Sequence, residues 1–84
     1  MNQEHQFINS RFVIGDTVLI KRIPEALLID LPEEDQEAIR ACAGQLLSIS
    51  GFDVYGQAEI EFFDLQGNLH TIWIQTDCLE LGKA

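Results

Sequence analysis

The stretch Gly44-Gln45-Leu46-Leu47-Ser48-Ile49-Ser50-Gly51-Phe52-Asp53-Val54-Tyr55-Gly56-Gln57-Ala58-Glu59-Ile60-Glu61-Phe62-Phe63 decides the fold class. Residues 58 to 62 alternate apolar and acidic without interruption, the period of a strand with one face in a core and one in water. Upstream, Leu47 and Ile49 share one parity while Leu46, Ser48 and Ser50 share the other, so a second strand precedes it. Between the two, Gly51-Phe52-Asp53-Val54-Tyr55-Gly56 is bracketed by glycines and reads as the connecting loop. The pattern puts Leu47, Ile49, Ala58, Ile60 and Phe62 in the core. It puts Glu59, Glu61 and Phe63 on the outer face.

Working outward, Asp64-Leu65-Gln66-Gly67-Asn68 is a tight hairpin with Gly67 at a left-handed position, leading into a strand over His70 to Gln75. Ile72 and Ile74 point inward there, and Thr71 and Trp73 outward. Thr76-Asp77-Cys78 reads as one 3₁₀ turn, followed by a brief closing strand Leu79-Glu80-Leu81 before Gly82-Lys83-Ala84 frays. On the other side, Gly15-Asp16 is a turn dipeptide before a first strand Thr17 to Arg22, with Val18 and Ile20 inward and Phe12 and Ile14 capping the same core. Residues 1–10 are expected to be a flexible tail, with a single domain over 11–84. Between the first strand and Gly44 the period changes. Pro24 and Pro32 each fit the first position of a helical segment, where a missing N–H costs nothing. The segment from Pro24 is too short to stand alone and is broken at Asp30-Leu31, since a residue before proline is pushed out of the α region. The segment from Pro32 carries Ala38, Ile39, Cys42 and Ala43 as its apolar stripe and stops at Gly44. The fold class is therefore mainly β, about five antiparallel strands with a helical insertion over about residues 24–43.

Composition narrows the function. A chain of 84 residues builds one core. No run approaches a membrane span, and the polar start Met1 to Gln6 lacks the basic flank and apolar core of a signal peptide, so a cytoplasmic location is expected. Fourteen acidic residues against five basic ones give a net charge of −9, which disfavours phosphate backbones and anionic lipid. Cys42 and Cys78 show no metal or redox spacing and read as partly buried thiols.

The markers Phe12, Gly15, Asp16, Val18 and Ile20, then Gly44 and Ile49, then Asp77 and Leu79, together with the strand order, resemble the small SH3-like barrels over Phe12 to Leu81. The helical insertion between the first two strands departs from the usual loop there. The resemblance implies either an accessory domain that docks on a larger partner without a cofactor of its own, or a KOW-like factor that contacts RNA or the ribosome. For the second, this chain offers only Arg11, Lys21 and Arg22 and an aromatic loop.

No catalytic constellation accompanies the two histidines, His5 and His70. His70 has core parity and is expected at the rim near the hairpin, bonded to a neighbour. Glu59 and Glu61 at alternate strand positions fit a solvated face better than a paired-carboxylate site, and Glu33-Glu34-Asp35 fits a helix start as well as an acidic docking patch. No enzyme activity, cofactor or metal is expected. The candidate partner-binding residues are Phe52, Tyr55, Glu59, Glu61, Phe63 and Trp73. Two arrangements are open for them: Phe63 and Trp73 form an exposed aromatic site rimmed by carboxylates, or Leu27, Leu28, Leu31 and Ile39 of the insertion fold back over Phe63, Trp73 and Leu19 as a second core. In the second case the working surface moves to the loop Phe52 to Tyr55 or to the acidic helix. The expectation is a protein-interaction module or accessory subunit, or a self-associating one, with a KOW-like RNA-associated factor as the alternative.

Overall fold

The computed structural model describes residues 12–82; the expected tail over residues 1–10, with His5, lies outside them, as do Arg11, Lys83 and Ala84. Five strands form one antiparallel sheet: β1 (Thr17–Ile20), β2 (Leu46–Phe52), β3 (Ala58–Phe63), β4 (Leu69–Ile74) and β5 (Leu79–Leu81), in the order β4-β3-β2-β1-β5. The order leaves β4 and β5 as unpaired ends, so the sheet is open and the expected closed barrel is corrected. One helix, α1 (Glu33–Arg40), and two 3₁₀ turns, Glu25–Leu27 and Thr76–Cys78, complete the architecture.

Alternation does what the sequence requires of it. Val18, Ile20, Ile49, Ala58, Ile60, Phe62, Ile72 and Ile74 are all buried on the inner face. Removing a large one, as in Ile60→Ala, would cost about 2–5 kcal/mol through lost burial and the cavity left behind. The insertion closes this same core: Leu28, Ile39 and Cys42 are buried in one cluster with the strand residues, and Leu27, Leu31 and Ala38 pack against it. Apolar side chains on so short a helix need a large apolar partner, and the inner face of the sheet supplies it.

Local details differ from the pattern in physically simple ways. Each proline stands one residue ahead of its helical segment, in extended conformation, so α1 opens at Glu33 and not at Pro32. Asp30 takes a φ of 68°, a left-handed position that aspartate tolerates, and redirects the chain towards Leu31 and Pro32. The Gln36 side chain then ties the first turn of α1 back to the Leu31 carbonyl at 2.9 Å. The helix ends at Arg40 and not at Ala43, which is exposed, and the chain leaves the following turn through Gly44, whose N–H donates to the Ile20 carbonyl at 2.7 Å. β1 ends at Ile20, two residues short of the expected Arg22. Ile14 does not cap the core but stands 64% exposed at the tip of a turn closed by the Asp16 N–H on the Val13 carbonyl and by the Asp16 carboxylate on the Val13 N–H.

Candidate functional site

Register decides where each candidate residue stands. On the face of β3–β4 away from the core the facing pairs are Glu59 with Trp73, Glu61 with Thr71, and Phe63 with Leu69. Phe63 is 70% exposed and Trp73 42% exposed, so the insertion does not cover them, and the arrangement with a second core over Phe63, Trp73 and Leu19 is corrected. The two aromatic rings do not form a pair either. The hairpin begins at Asp64 and locks Phe63 opposite Leu69, which leaves Trp73 four strand positions away, about 13 Å along the sheet.

Phe52 and Tyr55 are separate again. The register of β2 against β3 shifts between Ile49 and Gly51, so Ser50 and Gly51 share the place opposite Glu59, and Phe52 falls opposite buried Ala58 at the rim of the core face. Gly51 thus belongs to β2 and not to the loop. A Cβ at Gly51 would lie 2.7 Å from Oε1 of Glu59, so the glycine makes room for that half-buried carboxylate. Tyr55 is exposed at the tip of the β2–β3 turn, beside a shallow polar hollow of about 300 Å³ that Gln57, Gln75 and Asp77 also line.

The opposite end of β3 holds the larger concavity. A groove of about 590 Å³ runs between α1 and the β3–β4 hairpin, with Ala38, Cys42, Leu47 and Phe62 along its floor and Phe63 and Leu65 at its mouth. Glu34 and Glu37 of α1 stand on its rim. Among the described residues neither makes an ion pair; Arg40, the basic residue in the last turn of α1, instead faces Glu25 at 3.9 Å. Cys42 is a poor nucleophile there, because burial pushes its thiol up to about 11. Burial also raises Cys78, and both thiols are free.

The hairpin beside the groove is rigidly braced. Oδ1 of Asp64 accepts the N–H groups of Gln66 and Asn68 at 2.9 Å each. Its Oδ2 faces Nε2 of His70 at 2.9 Å and Nδ2 of Asn68 at 3.2 Å. The His70 bond, then those from Asn68 and Gln66, hold the Asp64 carboxyl well below the usual carboxylate range. His70 stacks on Phe62, centroids 5.1 Å apart, at the core rim where its parity placed it. The result is a fixed turn that presents Leu65 fully to solvent.

Sequence reading missed Leu65, Leu69 and Glu37, while Glu34 lay in the acidic helix start weighed there as a docking patch. A signal for Leu65 existed: Asp53-Val54-Tyr55-Gly56-Gln57 and Asp64-Leu65-Gln66-Gly67-Asn68 share one pattern, an aspartate, an exposed apolar residue, any residue, a glycine and an amide. An apolar side chain inside so polar a turn has no core to reach. The groove had no such signal, since it exists only once α1 is laid against the sheet. Among the described residues no group of His, Cys, Asp and Glu is arranged to hold a metal ion, and no helix is long and apolar enough to cross a membrane. No protein-family model, curated protein or solved structure matches the chain.

Proposed function

We propose that this protein is a non-catalytic protein-interaction module of the cytoplasm that docks through the outer face of β3–β4 and the hairpin joining them. One observation carries the reading: the insertion buries Leu28, Ile39 and Cys42 in the main core and not over the outer face, where Phe63, Leu69 and Trp73, with Leu65 in the adjoining turn, are left exposed. Four large apolar side chains interleaved with Glu59 and Glu61 make the type of surface that partners use as anchors. The groove beside Phe63 and Leu65 extends that surface towards the acidic rim of α1. The framework residues and the strand order support an SH3-like domain in an open form, and domains of that kind serve as accessory units to larger partners.

The test is capture of partners with the wild-type chain and with two double variants. Phe63→Ser with Leu65→Ser loses the captured proteins, and Val54→Ser with Tyr55→Ser at the other end of the sheet keeps them. A monodisperse monomer that retains no protein, or equal retention by both variants, contradicts the proposal.

A further inference from the structure

Natural sheets guard their edges with short strands, charges, proline, bulges or a covering helix or loop, because an exposed row of N–H and C=O groups is a template for another strand. The two edges of this sheet are unequal. β5 has three residues and carries Glu80. β4 has six, and its register with β3 runs from Phe63 opposite Leu69 to Ala58 opposite Ile74 without a shift. No Asp, Glu, Lys, Arg or Pro occurs between Asp64 and Asp77 in a chain of net charge −9. An antiparallel strand directs part of its backbone groups to each side. Among the described residues, no backbone hydrogen bond beyond those to β3 involves residues 69–74. The first 3₁₀ turn lies against β4 without adding one.

We infer that β4 is a docking edge for an extended cationic segment of a partner protein, which adds to the sheet as a sixth strand. This rests on the reading of the β3–β4 side as the interaction face and names how that face is used. The edge selects its occupant by pattern and by charge. Residues of the incoming strand on the core side extend the row His70, Ile72 and Ile74 and are apolar. Those on the outer side stand next to Trp73, Thr71 and Leu69, and one strand further lie Glu59 and Glu61. Two strand spacings are about 10 Å, within the joint reach of a lysine and a glutamate across the small Thr71. The same charges oppose a second copy of this chain at the edge, since two bodies of −9 repel along the whole approach.

The experiment uses the full chain and synthetic blocked peptides of alternating Lys and Val or alternating Glu and Val, followed by emission of the single tryptophan, Trp73. The Lys/Val peptide binds and shifts the emission, the Glu/Val peptide binds at least tenfold more weakly, and N-methylation of alternate amides of the Lys/Val peptide abolishes binding. Glu59→Gln with Glu61→Gln, which keeps the shape of both side chains, narrows the Lys/Val preference several-fold. Equal binding of the two peptides, or no binding, overturns the inference. So does protection of all β4 amides from hydrogen exchange in the free monomer, which would mean that the chain covers this edge itself, or sedimentation as a dimer with β4 protected. If the peptides fail while the Phe63 and Leu65 variant still loses its captured proteins, the docking face stands and only the strand-addition mode falls.

Discussion

The two turns at the ends of β3 have nearly the same backbone and different surroundings. In the first, Oδ1 of Asp53 accepts the N–H groups of Tyr55 and Gln57, and the Gly56 N–H closes on the Asp53 carbonyl. In the second, Asp64, Gln66, Asn68 and Gly67 repeat each of those bonds. Gly56 and Gly67 both take left-handed φ, 81° and 87°, as a three-residue hairpin loop demands. Both turns push an apolar side chain, Val54 or Leu65, into water. Only the second continues inward, where the other oxygen of Asp64 meets His70 and His70 lies on Phe62. Only the second borders the groove along α1. The lesson is that turn chemistry fixes a loop's shape, while its connection to the core fixes where that shape is held.

The largest expected effect separates the two aspartates. Asp53→Ala loses two backbone acceptor bonds at the surface and lowers stability by about 1 kcal/mol. Asp64→Ala loses the same two and also strands His70, so its thermal midpoint falls further, by roughly twice as much on a count of bonds broken. The pH dependence has a definite sign. The folded-state value of Asp64 lies below the unfolded one of about 3.9, so its contribution is complete well above that pH and is lost as pH falls through the acid range towards the folded value. The gap between urea titrations of wild type and Asp64→Asn narrows as pH falls from 7 to 3, as the unfolded chain takes up its proton; a gap that stays constant refutes the role given to this carboxylate.

A pair expected to differ by less tests the sameness of the two backbones. Gly56→Ala and Gly67→Ala each force an L side chain into the left-handed region and cost about 1–2 kcal/mol. A Cβ at Gly67 meets nothing within 4 Å, so its cost is conformational alone. Calorimetric midpoints that differ widely between the two would show that the turns are not equivalent. Smallest of all, Val54→Ser and Leu65→Ser change stability by less than about 0.5 kcal/mol, since neither side chain touches the core. Denaturant midpoints check this, and the difference between the pair appears only in partner binding, which Leu65→Ser weakens and Val54→Ser does not.

Much of the fold was legible because period two is a strong signal. Ala58, Ile60, Phe62, Ile72 and Ile74 face the core as alternation requires, and His70 sits at the rim where its parity put it. What alternation cannot carry is anything that changes parity or depends on distant elements. The shift at Gly51 turned Phe52 to the core side, and no single-strand pattern announces a bulge. The closing geometry of the sheet was equally silent, so the barrel expected from framework residues is open between β4 and β5. Of the candidate binding residues, Glu61, Phe63 and Trp73 share the outer face with half-buried Glu59, while Phe52 and Tyr55 stand elsewhere. Whether the insertion covered that face was a question of competing apolar surfaces, and its buried residues joined the cluster on the inner face.

Docking requires the outer face of β3–β4 to be open in the isolated chain, and Trp73 reports on it directly. Acrylamide is the quencher to use, because it is neutral and the −9 charge would keep iodide away. Trp73 in the monomer is expected to be readily quenched and to emit to the red of a buried indole. A blue-shifted emission protected from acrylamide would mean that something in the chain covers this face, and the docking surface built on Phe63, Leu65, Leu69 and Trp73 would fall with it.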